Sequence, residues 1–272
     1  MTTSSHPSRT SKGSVTLVGA GPGDPELLTL KAVRAIANAS VILVDDLVND
    51  AVLAHASPDA RIVYVGKRGG CKSTPQAFIE KMMIAEYKKG EAVVRLKGGD
   101  PMIFGRAGEE LAALTAAGIT CSVVNGITSG LAAATGLGVP LTHRDHAHGV
   151  VFVTGHAAPG GAQTDWATLG KMTSELKLTL VIYMGVSHAN EIQNGLLVHC
   201  PFDTPAVLIQ SASTANERHV RTQLCKLTQT IAIEALHSPL IMVIGDVAKL
   251  AKAQLKAAVS LEQDGYNSRL VA

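Results

Sequence analysis

Apolar residues in this chain gather in short runs, and most of the runs end at glycine or at an acidic residue. Val15-Thr16-Leu17-Val18 reads as a strand and is followed by a glycine-rich turn, Gly19 to Gly23. Val41-Ile42-Leu43-Val44 and Arg61-Ile62-Val63-Tyr64-Val65 are two further strands, and Glu91-Ala92-Val93-Val94 opens another. Between them the spacing lengthens to that of a helix: Leu27, Leu30, Val33 and Ile36 form one stripe over Pro25 to Ala37. Thr74-Pro75 starts a helix that runs to about Lys89 and stops at Gly90. A helix over Glu109–Ala117 stops at Gly118, and Cys121-Ser122-Val123-Val124 follows as a buried strand. Such alternation predicts parallel α/β layers.

The segment Gly138-Val139-Pro140-Leu141-Thr142-His143-Arg144-Asp145 breaks the rhythm and reads as a hinge. Beyond it, strands are predicted near Gly149–Thr154, Thr179–Met184, Ala206–Gln210 and Leu240–Ile244, with a helix near Ala189–Val198. Arg218–Leu224 alternates like an antiparallel edge strand. The expected organisation is an N-terminal α/β domain over 14–138, a linker over 139–148 and a C-terminal α/β domain over 149–252. Each domain is expected to hold a mostly parallel sheet flanked by helices, with a ligand cleft between the two. Residues 1–13 and 253–272 are expected to be disordered or frayed tails.

Composition narrows the function. Hydrophobic residues make up 46% of the 272 and aromatics only 3%, which suits a Val, Ile, Leu and Ala core between helical layers. A formal net charge of +2 gives no reason to expect nucleic acid or a membrane surface as partner, so anion recognition must come from local clusters of Arg and Lys. Cys71, Cys121, Cys200 and Cys225 are scattered and form no C-x-x-C pair, so a reducing cytoplasm is expected, without disulfides or structural zinc. The apolar runs are too short to span a bilayer, and Met1 to Gly13 lacks the apolar stretch of a secretory signal.

The densest chemistry lies in Arg95-Leu96-Lys97-Gly98-Gly99-Asp100-Pro101-Met102-Ile103-Phe104-Gly105-Arg106. Two glycines at a strand end let a ligand approach the backbone. Asp100 and Pro101 suit a turn or helix entry, and Arg106 offers a planar cation to a carboxylate. Gly19-Ala20-Gly21-Pro22-Gly23-Asp24 fails the dinucleotide fingerprint at Asp24 and lacks the Lys-Ser/Thr of a P-loop; it is either a tight turn or a contact for a flat heterocycle. Asp45-Asp46 ends a strand where an α/β sheet opens its crevice, so a base and a solvated turn are both open readings. Gly66-Lys67-Arg68-Gly69-Gly70 is either a polyanion site or a solvated basic loop. Thr128 and Ser129 stand at a helix start, where hydroxyls usually cap. His143, His146, His148 and His156 lack a Cys or Glu partner, so no metal site is assigned.

Together these segments resemble the tetrapyrrole methylases, in particular the branch that methylates uroporphyrinogen III on carbon. The matching pieces are Val18-Gly19-Ala20-Gly21-Pro22-Gly23-Asp24-Pro25, Val65-Gly66-Lys67-Arg68, Arg95 to Pro101, Phe104-Gly105-Arg106, Gly126-Ile127-Thr128-Ser129, Pro140-Leu141-Thr142-His143-Arg144, Phe152-Val153-Thr154-Gly155-His156 and Tyr183-Met184-Gly185. They occur in family order from about Ser14 to Lys249.

The resemblance implies a homodimer that transfers methyl groups from S-adenosyl-methionine to C2 and C7 of uroporphyrinogen III, giving precorrin-2. It implies that Pro22, Gly98, Gly99, Asp100, Ile103, Thr128, Ser129, Met184 and Ala212 line the donor site. Asp45 matches the family's proton acceptor and Lys67 its proton donor, while Arg68, Arg106 and Arg144 would meet the carboxylates of the acceptor. Some positions depart from the pattern. Val44 and Asp46 flank Asp45 where Tyr or His and Arg are usual, Asn125 replaces Pro, Met102 replaces Phe, and Ala212 replaces a donor-site glycine, adding a methyl group there. A sister methylase acting on a later corrin or in diphthine synthesis, and a non-catalytic donor-binding protein, are the alternatives.

Overall fold

The computed structural model describes residues 13–66, 74–156, 160–161 and 163–251. Lys67, Arg68 and Lys72 lie outside the described residues, as do the two expected tails apart from Gly13.

The first half builds one sheet. In chain order its elements are β1 (Ser14–Gly19), α1 (Leu30–Ala37), β2 (Val41–Val44), β3 (Arg61–Tyr64), α2 (Gln76–Lys88), β4 (Ala92–Lys97), α3 (Ala107–Ala116) and β5 (Cys121–Val124). The strands lie in the order β3-β2-β4-β1-β5 and all pair in parallel. Alternate residues face opposite layers: Val18, Ile42, Val44 and Leu96 pack with Ala32 and Ile36 of α1, and Leu17, Leu43 and Val93 pack with Met83 of α2 and Leu114 of α3. Burying both faces explains the nearly continuous apolar runs.

Two local expectations change. The helix predicted over Pro25 to Ala37 is two pieces, because the sequence holds two caps. Asp24 accepts from the Glu26 N–H at 2.9 Å and starts a single 3-10 turn, Pro25–Leu27. Leu28 is extended, and Thr29 then accepts from the Ala32 N–H at 3.1 Å to start α1. Leu30 is accordingly 75% exposed, and the buried positions of α1 are Ala32 and Ile36. β5, expected to be buried, is an edge strand with only Val124 fully inside.

The second half contains α4 (Ser129–Gly136), β6 (Gly149–Thr154), α5 (Trp166–Glu175), β7 (Leu178–Tyr183), α6 (Ala189–Leu196), β8 (Pro205–Gln210), β9 (Arg218–Gln223), α7 (Leu227–Ile233) and β10 (Leu240–Ile244). Its sheet runs β6-β7-β10-β8-β9. The α/β class with helix-flanked sheets holds, but this sheet is mixed rather than mostly parallel: β6–β7 is its one parallel pair, and the other three pairs are antiparallel. Apolar runs report burial on both faces and carry no information on strand direction, which is why the runs of β7, β8 and β10 read as parallel. α5, α6 and α7 cover one face through Trp166, Ile192, Leu196 and Leu227. α4 covers the other, with Ala133 and Leu137 packed among Val181, Val207, Ile209 and Val243.

Candidate functional site

The carboxyl ends of β1, β4 and β5 meet backbone to backbone. Gly21 and Gly99 exchange two hydrogen bonds, Gly21 N–H to Gly99 O at 3.2 Å and Gly99 N–H to Gly21 O at 2.7 Å. A Cβ on Gly126 would overlap the Gly99 carbonyl oxygen and the backbone of Gly19, so the contact requires glycine. Asp100 closes the same junction. Its Oδ1 accepts from the Met102 N–H at 2.7 Å, and its Oδ2 accepts from the Gly126 N–H at 3.1 Å and the Asn125 amide at 3.2 Å. Asn125 therefore adds a bond to this clamp, which the proline usual in the family has no N–H to make. The buried Asp100 carboxylate is engaged with its own chain, and it opens a turn rather than an α-helix.

The second half reaches this junction at three points. Tyr183, last residue of β7, places its hydroxyl 2.8 Å from Thr128 Oγ1, and the oxygen accepts from the Gly130 N–H at 2.9 Å. Thr128 makes no capping bond of its own, so the phenol satisfies the start of α4. Burial pushes the Tyr183 hydroxyl up from its ordinary value, which keeps it neutral. Its ring lies 4.9 Å from that of Phe104, and Ile103 packs against the same apolar cluster. On the far side, Gly23 lies against Ser213 and Thr214, and Asn49 donates to the Gly23 carbonyl at 2.8 Å.

The expected donor residues Pro22, Gly98, Gly99, Ile103, Thr128, Ser129 and Met184 are thus on segments that touch one another. Phe104, Arg106, Met184, Ser211 and Ser213 are five of the seven non-glycine residues in the left-handed region among those described, and all are on these segments. Each such conformation costs on the order of 1–3 kcal/mol, and such strain gathers at binding sites. Ala212 sits between two of them but is itself not left-handed, and its methyl group is buried in the core beside Tyr183 and Ile209. The added methyl group is therefore part of the core.

Asp45 follows β2 and is tied to the junction through Leu47, whose Cβ stands where a side chain on Gly98 would go. Its Oδ1 accepts from the Asp46 N–H at 3.0 Å, and its Oδ2 accepts from Arg95 Nη2 at 2.9 Å. The Asp45 side chain remains 35% exposed, whereas Arg95 is 2% exposed. Behind them Glu110 of α3, fully buried, accepts at Oε1 from Arg95 Nε at 3.1 Å, Lys97 Nζ at 3.0 Å and Gln76 Nε2 at 3.2 Å. Burial lowers the Lys97 ammonium below the usual lysine range, against the pull of Glu110. The sequence reading assigned no role to Arg95, Lys97, Glu110 or Tyr183. The signal was there: Arg95 and Lys97 occupy alternate positions of an apolar strand, so both point into the same covered layer.

The expected acceptor-binding arginines are scattered. Arg106, left-handed at the start of α3, is exposed and forks onto Glu109 at 2.9 and 2.7 Å, which raises its already high value. Arg144 is exposed in the turn closed by the His143–Ala147 bridge. That turn leads to His148, which bonds the Lys177 carbonyl at the start of β7, about 20 Å of strand away from Met184. Lys67 and Arg68 lie outside the described residues; Gly66, just before them, lies against Asp46. Of the four histidines singled out in the sequence, His143 lies beside His146, and His156 lies beside His188.

Residues 14–228 match the sequence profile of the Tetrapyrrole (Corrin/Porphyrin) Methylases. The chain is 52% identical over 238 residues to the uroporphyrinogen-III C-methyltransferase of Pseudomonas aeruginosa, covering 87% of this chain and 95% of that one. It is 46% identical over 242 residues to siroheme synthase 1 of Aeromonas hydrophila, and there it spans 51% of the relative's length. Its fold superposes with a TM-score of 0.74 on the uroporphyrin-III C-methyl transferase of Thermus thermophilus complexed with S-adenyl homocysteine. That pair is 39% identical, with 89% of this chain and 96% of that one covered. Fold and sequence agree: the chain belongs to the tetrapyrrole methylase family.

Proposed function

We propose that this protein is an S-adenosyl-methionine-dependent C-methyltransferase that methylates uroporphyrinogen III at C2 and C7 to give precorrin-2. The product would serve siroheme or cobalamin formation, and the enzyme would act as a homodimer in the cytoplasm. The observation that supports the reading is the contact between the Gly21, Gly98–Gly99, Thr128, Tyr183 and Ser213 segments, with the partly exposed Asp45 carboxylate at the end of the neighbouring strand.

The crevice fits the donor by its chemistry. Small residues and strained backbone expose peptide groups, and the Met184 side chain stands at its edge 47% exposed. The donor supplies an already activated sulfonium methyl group, so alignment is the main task left to the protein. Asp45, held by Arg95, accepts the proton that restores neutrality to the methylated ring. Lys67 is assigned as proton donor, and Arg68 and Arg106 as partners for the acceptor's carboxylates. Arg144, exposed in its turn, is assigned the same role.

Incubation with S-adenosyl-methionine and freshly generated uroporphyrinogen III, followed by mass spectrometry of the tetrapyrrole, tests the proposal. A gain of two methyl groups supports it. No gain by a protein that binds the donor overturns it.

A further inference from the structure

Four charges of the first half form one chain of contacts in which three members are shut away from water. Asp45 accepts from Arg95 at 2.9 Å, Arg95 donates to Glu110 at 3.1 Å, and Lys97 donates to the same Glu110 oxygen at 3.0 Å. Arg95, Lys97 and Glu110 are 2%, 4% and 0% exposed at their side chains. Burial of this kind is costly unless every charge is paired. A sheet interior has no structural need of it, since the neighbouring Val93, Leu17 and Leu43 fill the same layer with apolar groups.

We infer that Glu110 is a positioning residue for the reaction: bridging Arg95 and Lys97, it aims the Arg95 guanidinium at Asp45 and sets the charge that the Asp45 carboxylate experiences. The inference rests on Asp45 being the proton acceptor proposed above. Counting formal charges, Arg95 and Lys97 offset Glu110 and Asp45. Converting Glu110 to an amide leaves one excess positive charge behind Asp45, which favours its carboxylate form and weakens it as a base. Removing the Lys97 ammonium does the reverse. Removing both restores the balance while Arg95 remains.

Other charged groups around this point stay fixed in the comparison. They are Asp46 on the same turn, Arg106 and Glu109 at the start of α3 and Glu80 on α2, with the titratable Tyr64 at the end of β3, in register with Val44 and bonded to Asp50. Lys67, Arg68 and Lys72 belong to the 67–73 segment outside the described residues.

The test compares Glu110→Gln, Lys97→Met and the double variant in the full-length enzyme. The readouts are the pH dependence of kcat, calorimetric affinity for S-adenosyl-homocysteine, and an NMR titration of the Asp45 side-chain carbon assigned with Asp45→Asn. Glu110→Gln should move the midpoint of the acidic limb of kcat, and of the Asp45 signal that follows it, to lower pH. It should also lower kcat by roughly tenfold or more while donor affinity stays within about twofold. Lys97→Met should move the midpoint up, and the double variant should return it towards wild type. A midpoint indifferent to Lys97→Met and to the double variant overturns the inference, whether or not Glu110→Gln folds. Parallel loss of donor binding and turnover in Glu110→Gln does so too, since that is the mark of a merely structural residue. Midpoints that move as stated, in a wild-type protein that adds no methyl group to uroporphyrinogen III, leave the relay standing and overturn the assigned reaction instead.

Discussion

The hydroxyl of Tyr183 stands 2.8 Å from Thr128 Oγ1, so a side chain at the end of β7 completes the start of a helix 53 residues earlier at Gly130. Its ring also rests on Phe104. One phenol therefore joins three of the segments that border the crevice.

Tyr183→Phe keeps the ring and leaves the Gly130 N–H and the Thr128 hydroxyl without their partner. Loss of about 1–3 kcal/mol of stability is expected from the unmet groups. Affinity for S-adenosyl-homocysteine should fall at the same time, because Thr128 and Ser129 are no longer fixed. Urea unfolding and calorimetry read the two effects; unchanged affinity would separate Tyr183 from the donor site.

Asp45→Ala should abolish turnover by a factor on the order of 10²–10⁴ and leave donor binding intact. Removing the carboxylate also leaves buried Arg95 without its outer partner. A modest drop in unfolding free energy should accompany the loss of activity. Single-turnover kinetics with preformed donor complex measures the effect, and wild-type rates would remove Asp45 from the mechanism.

Gly126→Ala places a methyl group against the Gly99 carbonyl and the Gly19 backbone, where three strand ends meet. Backbone cannot yield there as a side-chain tip can, so destabilisation of about 3 kcal/mol or more is expected. Donor binding should be lost with it, since Asp100 bonds the Gly126 N–H. Thermal unfolding with and without S-adenosyl-homocysteine checks both: the ligand-induced rise in Tm should vanish.

Acid should weaken the fold partly through Glu86. Hydrogen bonds from Lys89 and from Arg61 hold its carboxyl below the ordinary glutamate range. A carboxyl with a lowered folded value stabilises above its unfolded value, and that contribution disappears as the pH falls through the folded one. Stability measured by urea unfolding from about pH 7 to about pH 3 should therefore fall less steeply in Glu86→Gln than in wild type. Equal slopes would mean that Glu86 titrates alike in the folded and unfolded chains.

Much of the architecture was legible in the chain because burial leaves a periodic mark. β2, β5, β6 and β10 fall on the residues that their apolar runs indicated. Strand direction was not legible: the runs of β8 and β10 are as apolar as those of a parallel sheet, and only long-range pairing decides that β10 lies antiparallel to both neighbours. The glycine motifs of the site were visible because glycine is demanded by close backbone approach. Glu110 was hidden within a helix whose neighbours Glu109 and Arg106 are exposed, since sequence alone does not say which acid of an adjacent pair turns inward. The αL conformations at Met184 and Ser213 were hidden for a similar reason. Neither residue favours that region, and the surrounding packing imposes it.

The place of β10 has a consequence for how the chain is made. Among the described strands it is the last to leave the ribosome as well as the central one of the second sheet, so until residue 244 emerges nothing joins β6–β7 to β8–β9. The first sheet, by contrast, has all its strands by residue 124. During synthesis β7 and β8 must wait with open hydrogen-bonding edges, the condition in which nascent chains associate wrongly or recruit chaperones. Selection for clean assembly should therefore bear hardest on five residues, Leu240 to Ile244, that are buried in the sheet.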